Sequence, residues 1–150
     1  MDIAMPRYDY EKFISIMKRQ TDAQFSIQSE ETEDNYFLTF AKVRKKGTIF
    51  VESIAEKKYK NNGIYVDVFP LDSVKNPEGV SYKLKRKLIN YLKHVLKLKA
   101  CPKLYRQKEG GIKFCLDCAL SFPGWILSNK GILKILKKLM VVDIAYEDAN

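Results

Sequence analysis

Apolar positions along the chain fall into two regimes. Before about residue 72 they form short β-branched and aromatic runs around a single helical stripe, and after it they repeat at helical spacing. Tyr10, Phe13, Ile14 and Met17 stand at i, i+3, i+4 and i+7, which predicts a helix with one core face. Pro6 opens it, Asp9 and Glu11 suit its first turn, and it should fade near Gln20-Thr21-Asp22. Met1 to Met5 reads as the tail of a strand. Ser26 to Asn35 is polar and acidic and reads as a loop or hairpin tip. Tyr36–Val43 and Thr48–Ile54 predict two strands, paired as a hairpin across Lys45-Lys46-Gly47. Glu56 to Asn62 is a charged connection. Ile64 to Phe69, between Asn61-Asn62-Gly63 and Pro70, has the pattern of a buried strand closed by turn chemistry.

Beyond Asp72, Asn76-Pro77-Glu78-Gly79 marks a turn. From Ser81 to about Lys99, Leu84, Leu88, Tyr91, Leu92, Val95 and Leu96 share one helical face, and lysines and Arg86 occupy most of the rest. Cys101-Pro102 begins a break that runs to Gly110-Gly111. Lys113 to Leu120 resumes as an apolar helix stopped by Pro123-Gly124. Ser128 can cap a last helix whose face is Ile132, Ile135, Leu136 and Leu139, and Val141 to Asn150 reads as a stub. The fold class expected is α+β, a small mixed sheet flanked by helices with a helical C-terminal half. With 150 residues it should form one domain, residues 75–150 packing on a core of residues 1–74.

Charge changes this picture in one place. Residues 75–113 hold 12 Lys/Arg and 2 Asp/Glu, whereas the flanking segments are nearly balanced, so the net charge of +9 sits in the middle of the chain. Such a segment suits a polyanion or an anionic membrane surface, and equally a solvated helix face. Nucleic acid is not expected as a partner, because the aromatics lie on core positions rather than between the basic residues. The longest apolar candidate, Phe114 to Leu127, is broken by Asp117, Pro123 and Gly124, and the N-terminal residues do not resemble a signal peptide, so the expected location is cytoplasmic. Cys101, Cys115, Cys118 and His94 supply the atoms of a Cys₃His zinc site, but at irregular spacing, and the cysteines read as buried or free thiols.

Asp67 is the residue that strand patterning does not explain. A carboxylate buried in a strand must be paired, hydrogen-bonded or bound to a metal, whereas one on the solvent face of an edge strand, or capping a loop, has no such need.

Two fragments carry a family resemblance. Asp2-Ile-Ala-Met-Pro-Arg-Tyr-Asp-Tyr-Glu-Lys-Phe13 and Gly63-Ile-Tyr-Val-Asp-Val-Phe-Pro-Leu-Asp72 resemble the LicD family, the phosphocholine-transferase relatives of fukutin. Lys42-Val-Arg-Lys-Lys-Gly-Thr48, between them, is similar to the family's Arg-and-Thr segment. The resemblance covers about residues 2–72 and implies a nucleotidyltransferase-like fold. It also implies transfer of a phospho-alcohol, typically phosphocholine from CDP-choline, onto a cell-surface glycan or teichoic acid, with Mg²⁺ or Mn²⁺ as cofactor. By that resemblance Asp2 matches the last aspartate of the family's Asp-rich strand motif and Asp67 the aspartate of its second strand motif, both as catalytic metal ligands. Arg7 and Arg44 would meet the nucleotide phosphates, since guanidinium forks suit phosphate oxygens, and Thr48 would donate a hydrogen bond there. Without the resemblance, Arg7 reads as helix-terminus packing, Arg44 as a turn charge, and Asp72 as a turn cap.

Family members carry a strand and turn, with further aspartates, ahead of the residue that is Asp2 here. The chain is therefore expected to be a truncated member, weakened or inactive as a catalyst. A membrane-bound acceptor would make peripheral membrane contact natural. The competing expectation is a non-enzymatic module that binds an anionic membrane or polyanion through the helix from Ser81 to Lys99.

Overall fold

β1 (Asp2–Pro6) runs without a loop into α1 (Arg7–Arg19). Pro6 is at once the last strand residue and the N-cap, with the extended backbone of a strand (ψ 148°) and a φ of −52° that already suits a helix. Ile14 is buried, and the helix ends where the Gln20 amide closes on the Ile16 carbonyl. The computed structural model describes residues 2–20, 24–34, 36–50, 63–74 and 76–141. They form two compact units, Met1–Asp72 and Ser73–Asn150.

In the first unit, β2 (Phe25–Gln28), β3 (Ala41–Lys45) and β4 (Tyr65–Leu71) join β1 in a mixed sheet of order β1-β4-β3-β2. β1 and β4 are parallel, and the other two pairings are antiparallel. The expected α+β class, a small mixed sheet with helices, is what the chain forms. α1 packs against β1, β2 and β4. Alternation splits the sheet into two faces. Ile3, Val66, Val68, Val43 and Ile27 lie on the apolar one, and Asp2, Tyr65, Asp67, Lys42, Arg44 and Gln28 on the other.

Three expectations fail in this unit. The strand expected at Tyr36–Val43 is β3 at Ala41–Lys45: residues 36–40 are not strand, and Arg44 and Lys45, expected at the turn, continue it because they pair with Tyr65 and Phe25. The stretch from Ser26 read as an acidic loop or hairpin tip begins with three residues of β2, whose alternation in Phe25-Ser-Ile-Gln28 is too short to outweigh the polar residues after it. The partner expected for β3 was Thr48–Ile54, but Thr48–Phe50 is not a strand and residues 51–54 lie outside the described residues, as does the Glu56–Asn62 connection. The reason is geometric. A strand has two hydrogen-bonding edges, and those of β3 are already taken by β2 and β4. Lys46–Gly47 still turns the chain, with Gly47 at φ 72°, where a Cβ would be strained.

The second unit is helical: α2 (Val80–Ala100), α3 (Pro102–Glu109), α4 (Gly111–Trp125) and α5 (Asn129–Met140). The apolar stripe of α2 is buried only in its C-terminal half, at Leu92, Val95 and Leu96, while Leu84 and Leu88, expected in the core, are exposed. The expected break after Cys101 is a helix, because its breakers stand at the ends. Pro102 occupies the first turn, and Gly110 closes the last with φ 82°. Likewise α4 passes Pro123 and ends at Trp125. Its last turn is held by Gly124, where any Cβ would press on both methyls of Val95. Ser128 caps α5 as expected, accepting the Gly131 amide at 3.0 Å. Residues 142–150, part of the expected stub, lie outside the described residues.

Candidate functional site

The sheet's register sets a row of charged and polar residues on one face. Asp2 is the register partner of Asp67 across β1 and β4, Lys42 is the partner of Asp67 across β3 and β4, and Gln28 is the partner of Lys42 across β2 and β3. Neighbouring strands lie about 5 Å apart, so the two expected carboxylates are brought side by side. β4 is a central strand of this sheet, which excludes the edge-strand reading of Asp67.

Lys42 answers the charge of Asp67. Its ammonium is 3.1 Å from Asp67 Oδ1, and the two side chains are 5% and 17% exposed. The contact is electrostatic and not aligned as a hydrogen bond, since Asp67 Oδ1 is buried without a hydrogen-bonding partner. The ammonium also stands 3.6 Å from the centre of the Tyr65 ring, close enough for a cation–π attraction. Lys42 opens the segment Lys42–Thr48 in which Arg44 and Thr48 were expected to be functional, yet sequence reasoning passed over it. Its signal was phase: Lys42 and Arg44 alternate in β3 in step with Tyr65 and Asp67 in β4.

Arg44 is buried, at 1% exposure. Its Nε donates to Gln28 Oε1 at 2.8 Å and one Nη to the Gly63 carbonyl at 2.9 Å, and its guanidinium lies 4.9 Å from the Tyr65 ring centre. Thr48 holds the turn after β3, its hydroxyl donating to the Lys45 carbonyl at 2.7 Å and accepting the Ile64 amide at 2.9 Å. Arg44 and Thr48, two of the three residues expected at the nucleotide phosphates, are thus engaged inside the protein, fastening β3 to the start of β4. Gly63 is required there, because a Cβ would collide with the Lys45 carbonyl oxygen.

Arg7 and Asp72 stand just beyond the last register pair of the parallel strands, Pro6 and Leu71. The Arg7 fork donates to both carboxylate oxygens of Asp72, at 2.8 and 2.7 Å. Burial works to lower the guanidinium pKa, but the hydrogen bond and charge of Asp72, with Glu11 and Tyr10, outweigh it, and the net shift is upward. Arg7 also lies 5.7 Å from the ring centre of Tyr10, whose phenol is pushed up to about 12, chiefly by burial. Asp72 is therefore more than a turn cap: it locks the first turn of α1 to the end of β4.

Mg²⁺ takes hard oxygen donors and is commonly held by one or two carboxylates, with water and substrate phosphates completing its shell. Asp2 and Asp67 fit that requirement by donor type and by register, and the buried Asp67 Oδ1 still has acceptor capacity. Among the described residues, no group of three or more His, Cys, Asp or Glu side chains is placed to hold a metal ion. Cys101, Cys115 and Cys118 are not joined in disulfides, and His94 faces Asp117 at 3.9 Å.

Comparison with known proteins returns no match to any family model, curated protein or solved structure.

Proposed function

We propose that the chain is a LicD-type transferase in which Asp2 and Asp67 hold Mg²⁺ or Mn²⁺ and a phospho-alcohol, phosphocholine from CDP-choline, passes to a cell-surface glycan or teichoic acid. The observation that supports this reading is the register of Asp2 against Asp67 on adjacent parallel strands, combined with the motifs that carry the resemblance. Asp2 and Asp67 would hold the ion, which when bound would supply positive charge to offset that of the donor's phosphates.

The chain's own residues set the conditions around that chemistry. Lys42 balances Asp67 and limits the repulsion between two adjacent carboxylates. Arg44, through Gln28 and Gly63, fixes β3 against β4 and so holds Lys42 and Asp67 in phase. Arg7 is placed at the ends of β1 and β4, and its pairing with Asp72 orients it.

A thermal-shift titration with CDP-choline and Mg²⁺, run on the wild type and Asp67→Asn together, tests the reading. A ligand that binds the native state raises the melting midpoint by mass action. A rise in the wild type that disappears in Asp67→Asn supports the transferase reading. No rise in either, from protein that melts cooperatively, overturns it.

A further inference from the structure

α4 is turned inside out relative to an ordinary surface helix. Its side toward α2 carries the polar and small residues Asp117, Ser121 and Gly124, with Ser121 and Gly124 buried. Tyr91 of α2 donates to the Leu120 carbonyl at 3.3 Å, His94 faces Asp117, and Gly124 sits against Val95. The outward side carries Ile112, Leu116, Leu120, Phe122, Trp125 and Ile126, all exposed, with Ile112 at 83%, Leu120 at 72% and Ile126 at 81%. From Cys115 to Leu127 no exposed position bears a charge. A contiguous apolar face of this kind marks an interaction surface.

We propose that this face of α4 docks in the interfacial layer of an anionic lipid bilayer. Charge selects the occupant. Residues 73–150 carry 16 Lys/Arg against 6 Asp/Glu, which draws the unit to an anionic surface and opposes pairing with a second copy of itself. At 15 residues α4 is about 22 Å long. That is short of the hydrocarbon thickness and suited to lying in the plane of the interface. Its C-terminal end is prepared for a medium poor in hydrogen bonds, because Lys99 Nζ donates to the Leu127 carbonyl at 2.5 Å and reaches the Trp125 carbonyl at 3.4 Å. Trp125 then sits where an amphipathic ring is favoured. Among the described residues no helix is long and apolar enough to cross a membrane, and the proposed contact does not need one. The docking element is thus α4, drawn to the surface by the net positive charge of its unit.

Trp125 is the single tryptophan of the chain and reports on this face directly. Full-length protein is mixed with vesicles of phosphatidylcholine alone, or of phosphatidylcholine with phosphatidylserine, and its emission and sedimentation are followed. The expected result is a blue shift and co-sedimentation with the anionic vesicles, and quenching by lipids brominated on their acyl chains. Leu116→Ser with Leu120→Ser, both at exposed positions, should weaken binding roughly tenfold at unchanged helix content. Three results each overturn the proposal. One is no change in emission with anionic vesicles. The second is binding that salt abolishes and brominated lipids do not quench, which is adsorption through charge alone. The third is lipid-free self-association that the double substitution dissolves, which makes the face a contact between protein copies.

Discussion

Arg7 and Asp72 form a two-point ion pair, 2.8 Å and 2.7 Å, between the first residue of α1 and the first residue after β4. The two are 65 positions apart in sequence, yet the parallel register of β1 and β4 delivers both to the same end of the sheet. A lysine cannot reproduce the planar fork. Arg7→Lys should cost about 1–2 kcal/mol of stability, the difference between a two-point charged hydrogen bond and a single one at a part-buried site. Urea denaturation measures it, and a midpoint equal to the wild type's would contradict the structural role given to the pair.

Lys42 and Asp67 make opposite predictions for stability and for metal binding. Lys42→Met leaves a mostly buried carboxylate beside Asp2 without its cation and should destabilise by about 2–3 kcal/mol. The same substitution should tighten Mn²⁺ binding, since the ammonium no longer competes for Asp67 Oδ1. Calorimetric titration of Mn²⁺ into Lys42→Met and into Lys42→Met with Asp67→Asn separates the effects. Binding that survives loss of Asp67 would place the ion elsewhere.

Tyr10 predicts an alkaline dependence. Its phenol titrates near 12 in the folded state against 10.0 when unperturbed. Between those values the unfolded chain releases the proton first and so binds fewer protons than the native state. Stability therefore falls as pH rises from 10 toward 12, and below 10 the phenol contributes no pH dependence. Absorbance at the phenolate wavelength should show a late-titrating tyrosine that Tyr10→Phe removes, together with a shallower loss of melting temperature in the variant over that interval.

Gly63 tests the junction that Arg44 and Thr48 fasten. Gly63→Ala drives a Cβ into the Lys45 carbonyl oxygen, a backbone atom with little room to retreat. The expected cost is roughly 2–4 kcal/mol, in the range of other backbone-level disruptions. A chemical denaturation curve unchanged from the wild type would show that the junction relaxes freely.

Much of the architecture was legible from the sequence because it depends on neighbours within a few residues. The stripe of Tyr10, Ile14 and Met17 marks α1, Ser128 marks the start of α5, and the β-branched run before Pro70 marks β4. Local signals misled where one residue type serves two purposes. Pro102 and Gly110 read as breakers, yet they bound α3. Pro123 read as a stop, yet α4 continues because Gly124 fits against Val95. Strand pairing was beyond local reading altogether. Which strand fills each edge of β3 is decided by all four strands at once, and the short alternating Phe25–Gln28 becomes β2 only because that edge is there to be filled.

For the site, sequence supplied the identities of Asp2 and Asp67, and tertiary structure supplied their relationship. Residue type determines that each carboxylate carries charge and can accept a cation. Only the parallel register of β1 against β4 sets them side by side, and only the antiparallel register of β3 brings Lys42 to the same place. The same division applies to α4. Its apolar content is plain in the sequence, but which side it turns outward follows from the packing of Ser121 and Gly124 toward α2. Chemical identity is local and is written residue by residue. Juxtaposition across the chain comes from hydrogen-bond register and close packing, which exist only once the chain has folded.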